Sequence, residues 1–173
     1  MELFEAIKGR RSIRRFRPDS VGDKDLENIL EAAIAAPSAG NCQPWEFIVV
    51  KNPRVKQKLK EAAQNQNSLT EAPVVIVICT DASRSAERYG ERGRKLYCIQ
   101  DTAAAAQNIH LAAYGLGYGT CWIGAFEETE VAEALGAPTG VRPVIMIPIG
   151  KPAENPTPRP RCPLKKISRL DGF

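Results

Sequence analysis

The chain has 173 residues, 43% hydrophobic and 25% charged, with 24 Lys+Arg against 20 Asp+Glu and a formal net charge of +4. This balance excludes a disordered chain and predicts one soluble globular domain with one sizeable core. The mild positive charge permits an anionic ligand without demanding nucleic acid. Five cysteines, an odd number with no CxxC pair, argue against a metal or iron–sulfur centre and fit a reducing, cytoplasmic setting. Charges at Glu2, Glu5 and Lys8 argue against a signal peptide.

Residues 1–9 read as a short amphipathic helix with Leu3, Phe4 and Ile7 inward. Residues 10–17 then carry five arginines in eight positions. Such a run is commonly a solvated basic turn or a nucleic-acid patch. Here Ile13 and Phe16 interleave with the arginines and anchor the segment in a core, where Arg-Arg-Ser can hold a phosphate by bidentate contacts and a hydroxyl bond. Residues 22–36 predict a helix capped by Asp23, with Leu26, Ile29, Leu30, Ala33 and Ile34 on the inward stripe. Pro37 stops it. The stretch PSAGNCQPW that follows has loop composition. Within it Asn41 and Gln43 alternate, so both carboxamides face one way, offering donor and acceptor to a heterocycle edge such as a flavin pyrimidine ring.

Residues 46–50 predict a strand, 53–63 a lysine-rich surface helix, and 64–68 a polar loop. PVVIVIC at 73–79 is a continuous β-branched run and so a central strand buried on both faces. Residues 82–95 are highly charged and mobile in character. Residues 97–114 form an Ala-rich helix that is apolar nearly all round and must be buried, within one chain or between two. Gln, Asp, Asn and His interrupt it too often for a membrane span. Gly115, Gly117 and Gly119 end that helix. Residues 120–123 read as a short strand closed by Gly124, and a strand end with so small a residue lets a flat ligand approach backbone amides. Residues 128–135 predict a short exposed helix and 143–149 a strand, with Pro148 near an edge or bulge. From Lys151 the chain is a proline-rich extended tail with little core of its own, and Arg159 and Arg161 are its contact groups. His110 and Asp101 read as structural groups on the buried helix, and the cysteines as small apolar side chains. No Ser-His-Asp set, carboxylate pair or metal cluster is visible.

Taken together, RRSIRRF, PSAGNCQPW, EAPVVIVI, the Ala-rich helix ending in GLGYGTCWIGAF, and the closing GKP and PRPRCPL segments resemble the nitroreductase family of FMN-dependent oxidoreductases. The resemblance covers nearly the whole chain. It implies an α+β fold with a central mixed or antiparallel sheet flanked by helices, a single domain over 1–173, and a long buried central helix. It also implies a homodimer, with the 151–173 tail packing on the partner and FMN at the subunit interface. Matched by motif, Arg10, Arg11 and Ser12 hold the FMN phosphate and ribityl chain, Arg14 lies near flavin N1 and O2, and Arg159 and Arg161 close on the phosphate. Pro37, Ser38, Ala39 and Asn41 line the site, with Gln43 close to the isoalloxazine from the partner chain. Ile123 and Gly124 lie against the ring through their backbone, and Gln66 is a looser match to a flavin-edge contact.

The chemistry implied is ping-pong: NADH or NADPH gives hydride to flavin N5, and a nitroaromatic, quinone or similar small oxidant takes it away. No metal, nucleic acid or membrane is involved. A dehalogenase or flavin-consuming enzyme of the same fold, and a nonenzymatic flavin-binding module, remain open alternatives. The segment 83–94 is short beside members that carry a long lid, which leaves the substrate and the choice of nicotinamide open.

Overall fold

The computed structural model describes residues 2–173. Its centre is β2 (Val74–Asp81), the β-branched run, buried from Val74 to Thr80. It lies between β1 (Trp45–Val50) and β4 (Val141–Gly150), and β4 carries the short edge strand β3 (Gly119–Thr120) in the order β1-β2-β4-β3. All three strand pairs are antiparallel. The β1–β2 register runs from Trp45 opposite Thr80 to Val50 opposite Val75. On the other side Ile78 faces Ile145 but Cys79 faces Pro143, so Val144 is the extra residue of a bulge. Residues 120–123 are not one continuous strand. Thr120 pairs with Ile149, and Ile123 exchanges two bonds of 3.0 and 2.9 Å with Met146, while Cys121 and Trp122 arch between. Pro148, which has no N–H to give, opposes Val75 and lies between those two pairing points.

Alternation along the strands sends side chains to two helical layers. Ile76, Ile78, Ile145 and Ile147 pack on α2 (Asp23–Ile34) and α6 (Cys98–Gly115), meeting Ile29, Ala33, Ala106 and Ile109. Val75, Val77, Cys79 and Met146 face α3 (Pro53–Ala62) and α7 (Glu128–Leu135), meeting Leu59, Ala62 and Val131. Asn52 caps α3, its Oδ1 accepting from Arg54 N at 2.9 Å, with Pro53 at the first helical position. The short α4 (Ser68–Glu71) leads into β2.

Several expectations are corrected. The N-cap of α2 is Gly22; Asp23 is the first helical residue, and its carboxylate accepts from Lys51 Nζ at 2.8 Å. Ile34 lies on the outer side of α2, 55% exposed. In α1 (Leu3–Gly9) only Ala6 is buried; Leu3, Phe4 and Ile7 point outward, Phe4 71% exposed, because no element of the same chain covers their face. The charged stretch 82–95, for which the sequence suggested no regular element, is helical. It forms α5 (Ala82–Arg92), started by Asp81 accepting from Ser83 N at 3.0 Å, and a π-helical turn (Gly93–Tyr97) that runs straight into α6. Glu91 pairs with Lys95 at 3.0 Å and with Arg94 at 3.5 Å, while Arg84 pairs with Asp81 and with Glu46 on β1. The sheet and α2 bury one side of α6, while Ile99, Ala103 and Leu111 remain half-buried. The tail is exposed from residue 157 onward, including Leu164 and Ile167 of α8 (Leu164–Ile167). Among the described residues no helix is long and apolar enough to cross a membrane.

Candidate functional site

Segment 10–17 leaves α1 and runs beside β3. Ser12 bridges Thr120, Ile13 N donates to Thr120 O at 2.9 Å, and Phe16 pairs with Pro152. Ile13 and Phe16 are buried with Ala72 beneath them, the anchoring that their spacing among the arginines predicts. Gly119 lets this approach happen: a Cβ there would lie 2.7 Å from Ile13 Cγ1. With the apolar side chains turned in, the basic ones surround a cleft of about 810 Å³, closed on its far side by the tail.

Lys8, Arg10, Arg11, Arg14, Arg159 and Arg161 line the cleft together with Ser12 and Gln107, and among the described residues no carboxylate does. Glu154 sits just outside and is engaged by backbone, accepting from Arg14 N at 2.5 Å and Arg15 N at 3.2 Å. Arg11 is partly committed, donating to Lys8 O at 2.6 Å and Arg10 O at 2.8 Å. Arg10 is not: its Nε is buried without a partner. Burial pushes the Arg10 pKa down, and repulsion from Arg161 and Arg11 pushes it further. Arginines held together without a counter-ion form an anion site.

Thr120 joins this cleft to the next group. Its hydroxyl meets His110 Nδ1 at 2.7 Å, and the His110 ring stacks on Trp122 with centroids 5.8 Å apart and planes 15° from parallel. Burial, then the neighbouring Arg10, lowers the His110 pKa to about 4, so the ring is neutral at pH 7. Its Nε2 is buried and unpartnered. Burial likewise raises the pKa of the Cys121 thiol, which is therefore no nucleophile at neutral pH. Beyond Trp122 lie buried Ile123 and exposed Gly124. Gln66 joins them, its Nε2 donating to Ala125 O at 3.4 Å.

The third group stands apart within one chain. Pro37, Ser38, Ala39, Asn41 and Gln43 cluster at the opposite end of α6, where Ala39 N donates to Asp101 Oδ1 at 3.0 Å. Asp101 precedes His110 by roughly 13 Å of helix at ~1.5 Å per residue. The carboxamides do not alternate along an extended strand. Residues Ala39–Asn41 form a 3₁₀ turn, and Asn41 and Gln43 both have left-handed backbones, with φ of 57° and 47°. Both side chains are nevertheless exposed. Asp101 is a packing carboxylate, its pKa raised by burial. The sequence reading missed Trp122 and Glu154. Trp122 had a signal, a large aromatic two residues from Gly124; Glu154 had none.

The antiparallel sheet thus carries at its edge a cleft lined by six cations and, among the described residues, no carboxylate. The sequence matches the nitroreductase family over residues 7–69 and 63–151. A Methanothermobacter thermautotrophicus protein with the provisional name NADH dehydrogenase/NAD(P)H nitroreductase is 38% identical over 165 residues, covering 92% of this chain and 82% of its own. A nitroreductase family protein from Clostridium novyi superposes with a TM-score of 0.80 at 35% identity over 89% of this chain and 87% of that one. The NADPH:FMN oxidoreductase of Vibrio harveyi, solved with NAD+, superposes with a TM-score of 0.91 at 28% identity over 99% of this chain and 77% of that one. The chain belongs to the nitroreductase family and is an oxidoreductase of that type.

Proposed function

We propose that the protein is an FMN-dependent NAD(P)H oxidoreductase that works in the cytoplasm as a homodimer, reducing a nitroaromatic, quinone or similar small acceptor. The observation that carries this reading is the cleft of six cations in which Arg10 Nε is buried without a partner. A phosphate dianion supplies the missing acceptor, so the residues present fit FMN. Arg10, Arg159, Arg161 and the Ser12 hydroxyl would hold the phosphate, with Arg11 positioned by its bonds to backbone. When bound, FMN supplies a hydride acceptor and donor at N5. Arg14 brings positive charge to the cleft wall, where it would stabilise negative charge on a bound flavin. Ile123 and Gly124 would offer backbone to a bound flavin, and the Trp122 ring stacks on His110.

A second copy of the chain answers two needs. It would cover Leu3, Phe4, Ile7, Ile34 and the apolar residues of the 151–173 tail, all uncovered within one protomer. It would also bring its own 37–43 loop, with Asn41 and Gln43 exposed, to a cleft that the same chain's loop does not line. Residues 1–173 then act as one domain. The visible spectrum of the purified protein, with the released flavin identified, tests the cofactor. Oxidation of NADH and NADPH with a nitroaromatic tests the reaction. Protein that neither retains nor rebinds flavin refutes the proposal.

A further inference from the structure

Helix α5 makes contacts that the reading above leaves unused. Arg84 and Arg88 lie four residues apart, one turn of one helix face. Both reach the loop that carries Asn41 and Gln43. Arg88 Nη1 donates to Gly40 O at 3.0 Å, and Arg84 Nη1 donates to Gln43 O at 3.1 Å. Arg84 is itself fixed by ion pairs to Glu46 on β1 and to Asp81, the latter at 3.4 Å. Arg88 has no carboxylate within ion-pair distance among the described residues; its other contact is the Tyr89 ring, 5.6 Å away. The helix sits close on the loop: a Cβ at Gly40, where φ is +55°, would lie 2.5 Å from the Tyr89 hydroxyl.

The loop is thus gripped at four backbone groups. Asp101 accepts from Ala39 N, Arg88 takes Gly40 O, Ser38 Oγ accepts from Gln43 N at 3.1 Å, and Arg84 takes Gln43 O. Between these points Asn41 and Gln43 hold left-handed backbones that non-glycine residues seldom adopt unaided. The two carboxamides, by contrast, are exposed. Two cationic side chains thus donate to loop carbonyls on either side of Asn41, and the only bond either carboxamide makes among the described residues is a long one within the loop, Gln43 Nε2 to Asn41 O at 3.5 Å.

We infer that Arg84 and Arg88 are positioning residues for the flavin ring, holding the 38–43 loop in the conformation that presents Asn41 and Gln43 to the cleft of the partner subunit. This rests on the FMN reading above. It assigns a role to the charged α5 segment: the helix sets the geometry of the ring contacts without touching the ring.

Arg88→Ala is the informative variant, because Arg88 carries no ion pair and its loss leaves the core intact. A loop that spends about one tenth of its time in the competent conformation raises an apparent Kd about tenfold. Apo wild-type protein, Arg88→Ala and Arg88→Lys are titrated with FMN and with riboflavin. Amide exchange at residues 39–43 and the thermal midpoint are measured on the same samples. The expected result is an equal rise of about tenfold in both Kd values for Arg88→Ala, faster exchange confined to the loop, an unchanged midpoint, and recovery in Arg88→Lys, which keeps a donor. Unchanged Kd values overturn the inference. So does a rise for FMN alone, which would assign Arg88 to the phosphate, and so does a loss accompanied by a lower midpoint that lysine does not rescue. Wild-type protein that binds neither flavin overturns the cofactor proposal, and this inference with it.

Discussion

Replacing Arg10 by alanine separates binding from stability. The native cleft holds Arg10 against two neighbouring guanidiniums, Arg161 and Arg11, with its Nε buried and unpartnered, and burial already lowers its pKa. The charge is therefore disfavoured in the ligand-free fold and favoured only once an anion arrives. Arg10→Ala should leave the thermal midpoint of the apo protein unchanged or raised, since it relieves repulsion. On the proposed FMN site the same change would remove a charged hydrogen bond to the phosphate, worth about 1.5–3 kcal/mol, or about ten- to hundredfold in affinity. Riboflavin carries the same ring without the dianion, so its Kd should move far less. Fluorescence titration of apo protein with each flavin measures both numbers, and inorganic phosphate should raise the wild-type midpoint more than the variant's. Equal losses for FMN and riboflavin, or an apo variant clearly less stable than wild type, would refute the assignment of Arg10 to an anion.

Arg14→Ala should lower the midpoint potential of the bound flavin, about 30 mV for each ~1.4 kcal/mol of lost two-electron stabilisation, with FMN retained through Arg10 and Arg161; potentiometric titration reads it. His110, the only histidine, has its pKa lowered from 6.5 to about 4 in the fold. The unfolded chain therefore binds the extra proton first, and stability should fall as pH drops from about 6.5 to about 4, by up to about 3 kcal/mol. Denaturant unfolding of wild type and His110→Gln across that range checks this, the variant losing the histidine slope. Sedimentation should show a dimer, since obligate interfaces bury ~2,000–5,000 Å²; a folded, flavin-loaded monomer at micromolar concentration would sink that proposal.

The β-branched run of β2, the Ala-rich α6 and the two-sided sheet were legible because burial on both faces leaves a compositional mark. Ile13 and Phe16 announced an anchored arginine segment for the same reason. Periodicity was less informative for α1 and α2. It grouped Leu3 with Phe4 and Ile7, and Ile34 with Ile29, but a shared stripe does not say which chain covers it. Helix α5 was missed because density of charge hid its helix signals, Asp81 and the Glu91–Lys95 spacing. Of the candidate site, the arginines and Ser12 converge as the motif implied. The Asn41–Gln43 geometry did not follow from alternation, because Gly40, Asn41 and Gln43 all have left-handed backbones that turn the chain; Gly and Asn favour that region, but glutamine gives no such signal. The grip of Arg84 and Arg88 spans some forty-five residues of sequence (roughly 41 to 48 positions) and has no local pattern at all.

Helix α1 buries one side chain, Ala6, and the arginine cleft begins at its last turn. Lys8 lies on that helix and Arg10 is its C-cap, so one side of the cleft is mounted on an element that its own chain barely holds. In the proposed homodimer the second copy that covers Leu3, Phe4 and Ile7 would also steady Arg10 and Arg11, and the tightness of the cleft would become a function of how much protein is present. Dilution alone should loosen the grip on a phosphorylated ligand well before the sheet unfolds. An assay run at nanomolar enzyme would then report a weaker cofactor, and a lower specific activity, than one run at the concentration of the purified stock.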